Sequence, residues 1–150
     1  ITGATSGIGL RTAEVFVSEG AKIVIAGRRV AEGEALAKQL GPACVFRQTD
    51  VTVEAQMQAL IALAVEKFGR IDCLFNNAGG PAQTGGIEGL DVERFDAAMA
   101  TLVRSVMLGM KHATPYMRKQ GSGSIINNGS IAGRLAGFSS SMVYGAAKAA

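Results

Sequence analysis

Tryptophan is absent from the 150 residues, histidine occurs once and cysteine twice. These scarcities narrow the chemistry before any motif is read. A zinc site needs three or four nitrogen and sulfur ligands, and His112, with no second histidine and no paired cysteines, does not supply them. No metal site is expected. Cys44 and Cys73 lie inside the apolar runs Ala43 to Phe46 and Ile71 to Phe75, where buried free thiols in a reducing compartment are expected rather than a disulfide. That reading makes the protein cytoplasmic. No apolar run approaches the length of a membrane span and no charged-then-apolar leader is visible. Lys and Arg, in a net charge of +3, are scattered rather than banked in one tract, so neither a membrane nor nucleic acid is suggested as a partner.

What is present is apolar and glycine-rich. The hydrophobic fraction is 48% with 20 Gly, which suits a globular α/β chain. Short strand-like runs alternate with longer helical patterns, as in βαβ units on a parallel sheet. The strands read as Lys22 to Ala26, Ala43 to Arg47, Ile71 to Phe75 and Ser124 to Asn128, with Ile1 at the tail of an earlier one. Helices are expected from Leu10 to Glu19, from Ala31 to the breaker pair Gly41-Pro42, along the stripe Met57, Leu60, Ile61, Ala64, Val65 and Phe68, and from Val92 to Gln120. Thr52 and Asp91 are the expected N-caps of the last two, and Pro115 is the expected disturbance in the longest. Residues 1–150 are expected to form one domain, incomplete at both ends.

The chain opens on Thr2-Gly3-Ala4-Thr5-Ser6-Gly7-Ile8-Gly9. Three glycines spaced Gly-x-x-x-Gly-x-Gly before a helix describe a strand that turns sharply. Gly permits positive φ and close backbone approach, and the unpaired amides at the helix start attract an anion. Taken alone, a tight turn without a ligand remains the other reading. At the end of the next strand stand Gly27, Arg28 and Arg29. Enzymes that use NAD commonly place an acid there to hold the adenosine ribose; here a guanidinium is available for a 2′-phosphate. NADP is favoured, with NAD possible, and a solvated helix flank is the alternative reading of the two arginines.

Ser130 follows the run Ser124 to Asn128, and Tyr144 and Lys148 stand four apart, on one face of a helix. As a pair alone they would read as a surface Tyr covering a Lys stem. Together with the glycine turn they suit ketone reduction, in which a proton must reach oxygen while hydride reaches carbon. A phenol is a weak acid–base catalyst near pKa 10, and an adjacent ammonium favours the phenolate.

The glycine turn, Asn76-Asn77-Ala78-Gly79, Ser130 and Tyr144-Gly145-Ala146-Ala147-Lys148 occur in the order and spacing of the short-chain dehydrogenase/reductase family, which the whole chain resembles, in its classical branch. The resemblance implies a doubly wound parallel sheet, a Rossmann-like three-layer α/β/α fold, and a C-terminally truncated fragment. It implies a cofactor held by Gly3, Thr5, Ser6, Gly7, Ile8, Gly9 and Arg28, with Asp50 and Val51 at the adenine and Asn77, Ala78 and Gly79 at the nicotinamide-side ribose. It further implies Tyr144 as general acid/base, Lys148 also on the ribose hydroxyls, Ser130 orienting the carbonyl, and a homo-oligomer built on the long helix. The expected activity is hydride transfer between NADP(H) and a ketone or secondary alcohol. An NAD-dependent alcohol dehydrogenase with the same residues, or a non-catalytic NADP-binding regulator, are the alternatives.

One position departs from the family. Leu102 stands where an Asn usually disturbs the long helix and holds a water beside the lysine, so Leu102 is expected to continue the apolar stripe Phe95, Met99, Leu102, Val103, Val106 and Met110. The loop Gly80 to Gly89 is expected to move or to fold over the site. Arg134 to Val143, with Leu135, Phe138, Met142 and Val143, reads either as a wall for an apolar substrate or as loop anchors.

Overall fold

β1 (Ile23–Gly27) is buried along its whole length, and its alternate side chains enter two different cores. Ile23 and Ile25 cluster with Ala4, Ala13, Leu36 and Cys44. Val24 and Ala26 cluster on the other side with Val51, Met57, Leu60 and Leu108. A strand whose two faces are both covered must read as a continuous apolar run, and this one does. The first core is closed by α1 (Gly7–Ser18) and α2 (Val30–Leu40), the second by α3 (Glu54–Phe68) and by α5 (Ser105–Gln120). Helices on both faces of a parallel sheet make the three-layer, doubly wound α/β architecture. The computed structural model describes residues 1–135 and 137–150; Ala136, inside the proposed wall from Arg134 to Val143, lies outside the described residues.

β1 pairs in parallel with β2 (Cys44–Gln48), from Ile23 opposite Cys44 to Gly27 opposite Gln48. β3 (Cys73–Asn76) pairs in parallel with β4 (Ser124–Asn127), from Cys73 opposite Ser124 to Asn76 opposite Asn127. Residues 1–4 join the two pairs. Thr2 bridges to Ala26, and the Thr2 amide donates to the Phe75 carbonyl at 3.0 Å. The chain therefore runs outward in both directions from its first residues, so a crevice opens at the carboxyl ends of its neighbours.

α3 carries the expected stripe, with Met57, Leu60 and Ile61 buried. Its N-cap differs: Val53 occupies the cap position, and Thr52 turns its amide and hydroxyl to Asp50 Oδ1 at 2.9 and 2.7 Å. An Asx-type turn has taken the threonine that helix capping would have used. Asp91, by contrast, does cap α4 (Val92–Met99), accepting from the Arg94 amide at 3.0 Å.

The long helix is disturbed at Ala100–Arg104, a π-helical turn between α4 and α5, and continues as helix through Pro115. Leu102 is buried inside that turn. Phe95, Met99, Leu102 and Val103 of the expected stripe do cluster together, and beyond the turn the buried side passes to Leu108, Ala113 and Met117. Ala98 and Leu102 face α6 (Met142–Ala149) through Val143 and Ala147, whereas Ala113 and Met117 face α3 and β3. Wider winding over five residues changes the phase of the helix between these two neighbours, and π turns of this kind recur at functional sites. No helix of the described residues is long and apolar enough to cross a membrane.

Candidate functional site

The crevice is a cavity of about 750 Å³ at the carboxyl end of the sheet. Gly3, Thr5, Ser6 and Ile8 line it together with Arg28, Asp50 and Val51, with Asn77, Ala78 and Gly79, and with Tyr144 and Lys148. Gly7 and Gly9 shape the turn without lining the cavity, and Ser130 stands beside it, next to the lining residues Asn128 and Gly129.

The glycine turn is close-packed by necessity. Gly3 has φ of 64°, and a Cβ there would meet Ala78 Cα at 2.7 Å. A Cβ on Gly9 would meet the side-chain Nδ2 of Asn77 at 2.6 Å. Only glycine combines this backbone with this approach. Asn77 cements the contact: its Nδ2 donates to the carbonyls of Thr2 and Gly3 at 3.1 and 3.2 Å. The amides of Asn77 and Ala78 both donate to Thr2 Oγ1 at 3.0 Å. Ser6 occupies the N-cap of α1 in extended conformation, and the first turn of α1 holds no acidic residue. The helix start therefore presents its amides to the cavity with no carboxylate to compete.

At the end of β1, Arg28 and Arg29 both line the cavity, and Arg29 also does something the sequence reading missed. Its Nη2 donates to the carbonyl and the hydroxyl of Thr5 at 3.0 and 3.1 Å, and its Nη1 meets Glu32 Oε1 at 3.2 Å. The Asp50 carboxyl is held below its usual range, first by the Thr52 amide and then by the Thr52 hydroxyl. Arg28 adds a smaller attraction.

Tyr144 and Lys148 project from α6. Ser141 caps that helix, accepting from the Tyr144 amide at 3.0 Å, and its hydroxyl donates to the Gln83 carbonyl. Gln83 in turn donates to the Gly89 carbonyl at 2.7 Å and accepts from the Asp91 amide at 2.9 Å. The loop from 80 to 89 is thus tied to the starts of both α4 and α6. Lys148 Nζ donates to the Asn128 carbonyl at 2.7 Å and lies 5.8 Å from the centre of the Tyr144 ring. Ser130 Oγ accepts from the Ala132 amide at 3.2 Å, capping a short 3-10 turn over Ile131–Gly133.

Thr49, Thr101, Leu102 and Asn128 also line the cavity, and the sequence reading gave none of them a role in binding. Asn128 had a legible signal. Asn76-Asn77 and Asn127-Asn128 end two strands that pair in register, which brings Asn77 and Asn128 together. Of the exposed side chains between Arg134 and Val143, Leu135, Phe138 and Met142 are 49%, 63% and 49% exposed, whereas Val143 is buried. Within the described chain Val143 is the anchor and the other three are not.

A doubly wound parallel sheet with a glycine turn at its switch point defines a Rossmann-type α/β protein. The chain belongs to the short-chain dehydrogenase family, whose model matches residues 1–150. An uncharacterized oxidoreductase of Staphylococcus saprophyticus is 40% identical over 145 residues, covering 96% of this chain and 58% of that protein. A 3-ketoacyl-ACP reductase structure from Sinorhizobium meliloti superposes with a TM-score of 0.94 at 32% identity, over 99% of this chain and 60% of that one. The closed form of a serine dehydrogenase complexed with NADP+ superposes with a TM-score of 0.92 at 31% identity, over 99% of this chain and 60% of that one. The chain spans 58%, 50% and 54% of three curated relatives that it matches.

Proposed function

We propose that this chain is the nucleotide-binding and catalytic part of an NADP(H)-dependent oxidoreductase acting on a ketone or secondary alcohol. The observation that carries the reading is one cavity shared by the glycine turn, Arg28, Tyr144 and Lys148. Its lining suits a phosphorylated dinucleotide. The start of α1, the close-packed Gly3, a guanidinium without an acid at the same strand end and the small residues from Ala78 to Gly80 all belong to its wall. Arg28 would take the 2′-phosphate, Asp50 and Val51 the adenine side, and Asn77, Ala78, Gly79 and Lys148 the nicotinamide-side ribose. The relative solved with NADP+ supports the same cofactor class.

The bound nicotinamide supplies or accepts hydride. Every other step falls to the chain. Tyr144 gives its phenolic proton to the substrate oxygen as negative charge builds there, and recovers it in the reverse direction. Lys148 stabilises the phenolate by its charge. Ser130 donates a hydrogen bond to the same oxygen and orients it. Its lone-pair contact with the Ala132 amide leaves the hydroxyl proton for that purpose. The partners are a small carbonyl or alcohol compound and further copies of the same chain.

The test is oxidation of NADPH and of NADH by the whole protein across a panel of ketones. Faster consumption of NADPH than of NADH is expected. Measurable NADPH binding with no turnover on any ketone or alcohol would replace this reading by that of a nucleotide-binding regulator.

A further inference from the structure

Lys148 is held by a carbonyl whose own position is fixed from two other directions. We propose that Asn128 is the positioning residue of Lys148, an inference that rests on the catalytic reading of Tyr144 and Lys148. The Asn128 amide donates to the Asn76 carbonyl at 3.0 Å, carrying the β3–β4 ladder one residue beyond β4. Its side-chain Nδ2 donates to Asn77 Oδ1 at 3.0 Å. Asn77 spends its own Nδ2 on the carbonyls of Thr2 and Gly3, so its oxygen, rather than its nitrogen, must face Asn128. Main chain and side chain of Asn128 are thereby both anchored to the centre of the sheet, and its carbonyl turns towards α6 and accepts from Lys148 Nζ at 2.7 Å. An ammonium donating to a carbonyl is a charge-assisted bond, stronger and more directional than a neutral one.

The position of Leu102 makes this contact matter. The side chain at that point of the π turn is apolar and cannot offer Lys148 an acceptor. Asn128 supplies one from the lining of the same cavity, to which both residues belong. The result is a continuous chain of hydrogen bonds from the Gly3 carbonyl, through Asn77 and Asn128, to the ammonium beside the Tyr144 ring. Chains of this kind polarise one another and hold a unique geometry.

The experiment compares Asn128→Ala with the parent protein, reading kcat, KM, NADPH affinity and melting temperature, and following alcohol oxidation from pH 6 to 11. Asn128→Ala removes the anchor to Asn77 and leaves the carbonyl held from one direction, through the backbone bond to Asn76. The expected result is a kcat lower by about tenfold, the scale of one hydrogen bond lost from the support of Lys148. NADPH affinity should stay within about threefold, and the rising limb of the pH profile should move to higher pH because the phenolate loses a fixed ammonium. A lower kcat with an unmoved pH profile would assign Asn128 a purely structural role and overturn the proposal, as would an unchanged kcat. If Asn128→Ala melts too low to assay, Asn128→Ser, whose side chain is too short for Asn77, gives the same reading. A parent protein that binds NADPH and turns over nothing refutes the catalytic reading and the proposal with it; an active parent and an indifferent Asn128→Ala refute the proposal alone.

Discussion

Arg29 grips the glycine turn from the neighbouring strand end, its Nη2 donating to both the carbonyl and the hydroxyl oxygen of Thr5. Its neighbour Arg28 lines the same cavity as Arg29 without entering that contact. Two adjacent arginines therefore share the cavity wall and differ in their contacts, Arg29 being the one bonded to the turn. Arg29→Ala is expected to weaken NADPH and NADH to a similar extent, by roughly five- to tenfold if about 1 kcal/mol of hydrogen bonding holds the turn. Arg28→Ala is expected to weaken NADPH much more than NADH, because a guanidinium on a 2′-phosphate has no counterpart in NADH. Fluorescence titration of both variants with both nucleotides checks the pair. An equal loss of the two nucleotides in Arg28→Ala would refute the 2′-phosphate role.

Tyr144→Phe removes one oxygen from another residue that lines the same cavity. The ring stays to pack against Ala98 and Leu102, its neighbours in the cluster between α4 and α6. Folding and NADPH affinity should therefore be nearly unchanged, while turnover falls by two to four orders of magnitude, about the contribution of a positioned general acid. Full turnover in Tyr144→Phe would sink the assigned mechanism.

The glycine turn and Arg28 could be read from residue type and spacing, whereas Asp50, Val51, Asn77, Ala78 and Gly79 were legible only through the resemblance to the family; most of these residues stand at strand ends. Gly3, Arg28, Asn77 and Ala78 follow or end apolar runs, and the parallel ladder then brings such ends to one crevice. What escaped depended on distance across the fold. The Arg29 contact to Thr5 spans 24 residues and the Lys148 contact to Asn128 spans 20, and local pattern carries neither. Thr52 escaped for another reason: its hydroxyl could cap α3 or close a turn on Asp50, and both choices satisfy a polar group at similar cost. The π turn escaped because Pro115 was the visible breaker, whereas the disturbance follows from α4 and α5 facing different neighbours.

Cys44 sits in the first core beside Ile23 and Ala13. Burial pushes its thiol up to about 11 from an ordinary 9.0. At pH 8 the thiolate would be about one part in a thousand in the folded protein, against roughly one in ten when unfolded, so alkylation should slow by about a hundredfold on folding. Because the folded value is raised, stability is complete below the unfolded value of 9.0 and declines as pH rises towards 11. Iodoacetamide kinetics at pH 8, with the labelled residue located by mass spectrometry, check this. Rapid native labelling of Cys44 would contradict its placement in the core.

Leu102 decides whether the π turn depends on a polar residue at its centre. The turn is present with leucine there, so its cause lies in packing. Leu102 is 6% exposed, clusters with Ala98, Val143 and Ala147, and reaches towards Gly79 at the cavity wall. It thus fastens the π turn to the helix that carries Tyr144 and Lys148. Leu102→Asn exchanges those contacts for an amide with one open side, a loss of about 2 kcal/mol, which corresponds to roughly 4–8 °C in melting temperature for a chain of this size. Turnover should fall with it, because α6 loses its support before any water gains a new partner. An unchanged melting temperature together with faster turnover would mean the opposite, that the position acts through polarity and that leucine holds the enzyme back.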